Sequence, residues 1–286
     1  MKRVHRHANR IQLTLVWLLA GIVIACAPTF AYRHADWLVL WKVDHYFDLT
    51  KDQKVFVRAR LKELLARHRH DALPAYEQFL SEIKLKSSDG LNRQEVDWIF
   101  SSYTELRADL LARIVSDSAS FLTSVNEQQI QNLAEAFRED TEKKERVLKQ
   151  KADARLAARA TETLDRLKDW LGPLTREQKE RVIQLSRSLP DMLGARLEFH
   201  MSRQHEVVRL LRTTRDPHVI SQHLQDWLIF PEKSNPSQYQ RALDEMKSAV
   251  KEMVIAVDHL ITPQQRAHAQ AKLQELINDI HALAPT

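Results

Sequence analysis

The stretch Leu49-Thr50-Lys51-Asp52-Gln53 is the local pattern that recurs most clearly along this chain of 286 residues. An aliphatic residue precedes a threonine, and a glutamine follows three positions later. The pattern predicts a helix start: the hydroxyl accepts a backbone N–H of the first turn, and the glutamine returns to the N–H of the threonine. It recurs at Leu174-Thr175-x-x-Gln178 and Ile261-Thr262-x-x-Gln265, and asparagine versions begin at Asn92 and Asn126.

The composition favours helices between these starts. The chain has only four glycines and is rich in Ala, Leu, Glu, Lys, Arg and Gln, so few hairpins are expected. We therefore predict an all-α fold, an elongated multi-helix bundle with one or two very long helices. The longest should run from about Val125 to Gly172, with a solvent-exposed polar part over Glu139–Lys151. A sub-boundary is expected near residues 172–174.

The N-terminal region has the pattern of a secretory signal. Four basic residues precede the apolar run Ile11–Ala25, which is shorter than the ~20 residues that span a bilayer. At its end, Val23-Ile24-Ala25-Cys26 resembles the bacterial lipobox. The resemblance implies that the thiol of Cys26 receives a diacylglycerol and that the Ala25–Cys26 bond is cut. The new amine then receives an acyl chain such as palmitate. Residues 1–25 would be the signal peptide, and residues 26–286 a periplasmic helical domain.

Other readings of this region remain open. Cleavage after Ala31 is an alternative, because Thr29-Phe30-Ala31 offers small residues at the two positions that such cleavage needs. An uncleaved anchor and a buried thiol are the others. Ala27 follows the cysteine, where aspartate favours retention in the inner membrane. We therefore expect a lipid anchor in the outer membrane, facing the periplasm, rather than in the inner membrane.

The charge balance bears on the partners. The whole chain has a net charge of +5. Removal of residues 1–25, which hold four basic and no acidic residues, leaves 39 basic against 38 acidic residues, a net charge of +1. Nucleic-acid binding requires a larger excess of basic residues, so we expect no nucleic-acid partner. The expected partners are the membrane, through the lipid, and other envelope proteins; no cofactor or small-molecule substrate is evident.

An aromatic segment opens the mature chain. Trp37 and Trp41 lie four positions apart within Tyr32–Phe47, which suits a short amphipathic helix. We expect this helix to pack in the core against the main bundle. The alternative is an aromatic surface at the membrane interface, where tryptophan and tyrosine are favoured.

Two resemblances carry the functional expectation. The block from Tyr32 to Gln53, with Trp37, Trp41 and Asp44, resembles a family of uncharacterised proteobacterial lipoproteins, a domain of unknown function. This implies an all-helical, membrane-tethered periplasmic protein and no assigned activity. The copies at Leu49 and Leu174 also resemble the LTxxQ signature of the Spy-like periplasmic chaperones, although a capping box arises in any helical protein.

The residues offer little catalytic chemistry. His200 and His205 come closest to a metal site, yet their spacing of five differs from the i, i+4 spacing that places two ligands on one helix face. No nucleophile elbow or phosphate loop is present in the sequence. The first hypothesis is therefore a non-enzymatic lipoprotein that acts by protein contact or in envelope maintenance. A client-holding chaperone and a metal-dependent enzyme using His200 or His205 are the alternatives.

Overall fold

The computed structural model describes Tyr32 and residues 34–283, which form twelve α-helices and no strand. The helices are α1 (Ala35–Phe47), α2 (Lys51–Asp71), α3 (Leu73–Lys86), α4 (Arg93–Thr123), α5 (Glu127–Leu148), α6 (Ala152–Leu171), α7 (Arg176–Ser188), α8 (Leu193–Thr213), α9 (Pro217–Leu228), α10 (Pro231–Ser234), α11 (Ser237–Asp258) and α12 (Pro263–Leu283). The predicted all-α, multi-helix fold is therefore confirmed for the described part of the chain.

The prediction of one helix from Val125 to Gly172 is wrong. The chain leaves the helix after Leu148 and re-enters it at Ala152, although neither glycine nor proline stands between. The guanidinium of Arg155 donates to the carbonyl oxygens of Leu148 (3.0 Å) and Gln150 (2.6 Å) and to the carboxylate of Asp191 (2.6 Å). These bonds replace partners that the last carbonyls of α5 lose when the helix ends.

The polar part of α5 is less exposed than expected. Tyr46 of α1 donates a hydrogen bond to Asp140 (2.7 Å), and Thr141 donates one to Gln204 of α8 (3.1 Å). Burial and the neighbouring carboxylate of Asp140 raise the pKa of Tyr46. Helices α1 and α8 therefore contact α5 on this stretch, and it is not a free-standing rod in solvent.

The largest apolar cluster joins α1, α2, α4, α5 and α8. Its centre is formed by Ile130 and Leu211, which are both fully buried. The other buried members are Leu40, Leu49, Val57, Phe121, Val125 and Leu133. Complete burial of an aliphatic side chain stabilises a fold by about 1.5 to 3 kcal/mol, so this cluster fixes how the five helices pack.

Helix α1 does not bury its tryptophans. The helix packs against the main bundle as expected, through Leu40 with Val43 and Phe47 beside it. The two tryptophans do not take part, since Trp37 is 61% exposed and Trp41 is 57% exposed. Residues one position apart on a helix point about 100° away from each other, which separates Leu40 from the exposed Trp41.

The two halves of the chain share a plan of contacts. In the first half, α1 contacts α2 and α5; in the second, α6 contacts α7 and α12. Helix α3 of the first half packs on α12, and α8 of the second half packs on α5. Helices α4 and α11, which contact each other, complete the correspondence. Each half thus packs one of its helices, α3 or α8, against the other half. Helices α9 and α10 have no counterpart in the first half.

Candidate functional site

The recurring helix starts form capping boxes. In the first, the Thr50 hydroxyl accepts the backbone N–H of Gln53 (3.3 Å), and Gln53 Oε1 accepts the N–H of Thr50 (3.1 Å). The same two bonds join Thr175 with Gln178 (3.2 and 2.9 Å). They also join Thr262 with Gln265 (3.2 and 3.0 Å). Each box supplies partners to two N–H groups that the start of a helix leaves open.

Asn126 and Gln129 form a fourth box of this kind at the start of α5. The glutamines of the four boxes meet in pairs. In the first glutamine pair, Gln53 Nε2 donates to Gln129 Oε1 (3.1 Å), and Gln129 Nε2 donates to Gln53 Oε1 (2.7 Å). In the second glutamine pair, Gln178 and Gln265 exchange the same bonds at 2.7 and 3.0 Å. All four side chains are buried. Helix starts that are 76 and 87 residues apart in sequence are thereby joined.

The remaining amide hydrogens bind backbone carbonyls just before the partner helix. Gln129 donates to Asp48 O (3.2 Å), Gln178 to Leu260 O (2.8 Å) and Gln265 to Pro173 O (2.8 Å). Gln53 donates to both the carbonyl and the hydroxyl of Ser124 (3.2 Å each). Because a buried amide without partners is costly, these bonds fix the pairs tightly. Amide groups do not titrate, so the pairs hold helices together and offer no acid–base chemistry.

Sequence reasoning found the boxes and missed the pairing. The sequence did contain a signal for the pairing, namely that the third helical position of these boxes is glutamine rather than glutamate. The box at Asn92 has Glu95 at the third helical position, and Glu95 is half-buried and bonds within its own box rather than to a second one. A carboxylate accepts the N–H of the cap but cannot donate, whereas a glutamine keeps an NH₂ group for a second partner.

An open groove of about 670 Å³ lies between α5 and α8. Apolar side chains, among them Phe137, Met201 and Val208, line it. Arginines stand at its edges, and two of them are held by carboxylates: Arg138 by Glu135 and Glu142, Arg212 by Glu127. The groove combines apolar walls with polar groups, as ligand and peptide sites do.

The two histidines considered for a metal site do not meet. His205 lines the groove, whereas His200 is half-buried beside Lys144 and Arg196. Burial and these two cations lower the pKa of His200 to about 4. Within residues 34–283 and Tyr32, no group of three histidine, cysteine or acidic side chains is arranged to hold a metal ion.

The predicted lipidation site lies outside the described residues, as do Ala25 and the alternative cleavage site at Ala31. No helix in the described part of the chain is long and apolar enough to cross a membrane.

Comparison with protein families gives a match over residues 45–240 to DUF6279, a family of unknown function. The chain belongs to this family. The matched residues include the boxes at Thr50 and Thr175 and both histidines, while the box at Thr262 lies beyond them. Neither curated proteins nor solved structures gave a match.

Proposed function

We propose that this member of DUF6279 is a lipid-anchored, non-catalytic contact protein on the periplasmic face of the outer membrane. The observation that carries the proposal is the stretch Val23-Ile24-Ala25-Cys26, which follows a basic segment and an apolar run and contains the one cysteine of the chain. Several acyl chains, each contributing ~0.8 kcal/mol per buried methylene, would hold the protein on a membrane durably.

The helical body supports the contact role. Its conspicuous buried polar groups, the two glutamine pairs, are satisfied by one another and by backbone carbonyls, which suits a rigid scaffold. Its groove between α5 and α8 offers apolar walls, and the rim carries arginines, of which Arg138 and Arg212 already bind carboxylates. A partner that inserts an apolar side chain and offers polar groups to this charged rim would complement the surface.

The anchor is tested by the intact mass of the protein purified from membranes. We expect a chain that begins at Cys26 and carries acyl chains, and we expect Cys26→Ala to lose them. An unmodified chain that begins at Tyr32 would instead show cleavage after Ala31. A bare sulfur on a chain that retains Met1 would contradict the proposal entirely.

The contact role is tested by crosslinking in whole envelopes, followed by recovery of the protein, with Cys26→Ala as the control for anchoring. We expect one defined partner to be recovered with the native chain. Filling the groove by Ala134→Trp should reduce its recovery several-fold. A matched tryptophan at an exposed position of α9, Val219→Trp, should not change it.

A second candidate, a chaperone that holds unfolded clients, is favoured by the same groove, because such proteins need an apolar concavity. It predicts a broad set of crosslinked clients and slower aggregation of an unfolded test protein. Ala134→Trp should abolish this protection and Val219→Trp should preserve it. The groove is the size of a small-ligand pocket rather than of an extended cradle, so the defined partner remains the preferred proposal.

A further inference from the structure

Helix α1 carries an exposed apolar face although its other side is packed. Trp37 and Trp41 are 61% and 57% exposed, and Leu38 is 40% exposed. At ~100° per residue, these three side chains lie within roughly 100° of arc on one side of the helix. Isolated exposed apolar residues are ordinary, but two tryptophans and a leucine on a single face are a contiguous patch.

The helix is firmly seated, so the patch does not result from loose packing. On the inner side, Leu40 is buried and Phe47 packs edge-on against Phe121 of α4 (ring centroids 5.2 Å apart). The carboxylate of Asp44 binds Lys54 (2.9 Å) and the N–H of Leu49 (2.9 Å). Rotation of α1 to hide its tryptophans would break these contacts.

The charges on this side of α1 are basic. Lys42 stands at the edge of the patch, with its ammonium 4.5 Å from the centre of the Tyr46 ring. The exposed ring of His45 stacks on Trp41 (6.2 Å). Asp36 lies outside the arc of the patch, roughly 100° from Trp37 and 140° from Trp41, and Asp44 is engaged by Lys54. The face therefore combines tryptophan, leucine and lysine without a free carboxylate, a combination that suits the headgroup layer of an anionic bilayer.

The tether to the proposed anchor is short. Tyr32 is fixed on α2: its hydroxyl lies 2.9 Å from His68 Nδ1, and Arg69 lies over its ring at 5.6 Å. Cys26 stands six positions earlier in the sequence. Six residues span at most ~20 Å even when fully extended, about the length of α1 itself. A lipid on Cys26 would therefore hold α1 within one helix length of the bilayer surface.

We propose that the face formed by Trp37, Leu38 and Trp41 lies in the headgroup layer of the membrane that holds the lipid of Cys26. This inference rests on the proposed lipid anchor and adds an orientation to it: α1 faces the bilayer, and the helical body extends into the periplasm. A second copy of the chain is a poorer occupant. A stable dimer buries about 800 Å² per partner, more than three side chains on one short helix provide.

The test uses the full chain, purified from membranes and reconstituted into phosphatidylethanolamine–phosphatidylglycerol vesicles with or without brominated acyl chains. Bromine quenches tryptophans that reach the acyl boundary. With Trp17 removed in the signal peptide, five tryptophans remain, of which two lie on the face. We expect brominated vesicles to lower the emission by up to about two fifths, because a tryptophan ring in the headgroup layer extends to the acyl boundary, where bromine quenches it.

The double variant Trp37→Ser/Trp41→Ser should lose this quenching and still float with the vesicles through its lipid. The matched control Trp98→Phe/Trp227→Phe removes two tryptophans of the body and should keep it. A lipidated chain that floats but shows no quenching would overturn the inference and leave the anchor intact. Self-association of that chain, abolished by the serine variant, would assign the face to a second copy and overturn the inference too.

A bare sulfur in the intact mass would remove the anchor and the inference together. The mass and flotation measurements thus report on the proposed function, while quenching reports on the orientation of α1.

Discussion

The two glutamine pairs share a geometry but stand in different surroundings. In the first pair, the residue after Gln129 is Ile130, which is fully buried in the main apolar cluster. In the second, the residue after Gln265 is Arg266, which binds both oxygens of buried Asp258 (2.8 and 3.2 Å). The same helix start is therefore fastened by apolar packing in one half and by an ion pair in the other.

The ion pair also reaches a third segment. Asp258 accepts the N–H of Leu91 (2.9 Å), and Arg266 donates to the carbonyl of Ser87 (2.9 Å), so the loop between α3 and α4 is tied to α11 and α12. Gly90, at φ +122° in this loop, approaches the Asp258 carboxylate, and a Cβ there would lie 3.4 Å from it. The same capping geometry thus occurs in both halves, while the contacts that surround it differ from one half to the other.

The largest expected losses of stability come from substitutions in the contacts around the glutamine pairs, the apolar cluster in the first half and the ion pair in the second. Ile130→Ala should lower the free energy of unfolding by about 4 kcal/mol, through lost burial and the cavity that remains. Asp258→Ala should cost about 3 kcal/mol, because it leaves the guanidinium of Arg266 without its counter-charge and the N–H of Leu91 without its acceptor. Denaturant unfolding of each variant, followed by circular dichroism, measures both values.

The double variant Asp258→Leu/Arg266→Met sharpens the contrast. It should cost less than Asp258→Ala alone, since no buried charge is left unpaired. If the single variant instead cost no more than a surface substitution, the second half would depend on apolar packing like the first, and the comparison would fail.

An intermediate effect is expected from the glutamines themselves. Gln129→Met and Gln265→Met keep the length of the side chain and remove its hydrogen bonds. Each should lower the unfolding free energy by about 2 kcal/mol, because the paired amide and a buried carbonyl lose partners. Glu95→Met is the matched control, since it breaks a box of the same kind that has no partner, and it should cost under about 1 kcal/mol. Equal losses for all three would show that pairing contributes nothing.

The smallest effect is expected from the caps. Thr50→Ala and Thr175→Ala should each cost about 1 kcal/mol, the usual value of an N-cap hydroxyl, and the two losses should agree because the cap bonds are the same. Thr→Ser at either position should be nearly neutral. Thermal unfolding of the four variants checks this, and a clearly larger loss at one threonine would mean that its hydroxyl has a role beyond the cap.

Much of the fold follows from local sequence. The boxes at Thr50, Asn92, Asn126 and Thr175 place the starts of α2, α4, α5 and α7, because cap and helix lie within four residues of each other. The break after Leu148 was missed, since it depends on Arg155 and on Asp191, 36 residues farther along. The sequence left open whether Trp37 and Trp41 are exposed, because periodicity shows that a helix has an apolar face without showing which face meets the core.

The sequence by itself determined that the chain is helical, where most helices begin and that one cysteine follows an apolar run. These properties depend on hydrogen bonds and propensities among near neighbours. Only the tertiary structure decided that the glutamines meet in pairs, that α3 and α8 cross to the opposite half, and that α1 turns its tryptophans outward. Those outcomes depend on which helix surfaces pack against each other and exclude water. Residues 76 or 87 positions apart share no local sequence signal that determines this packing.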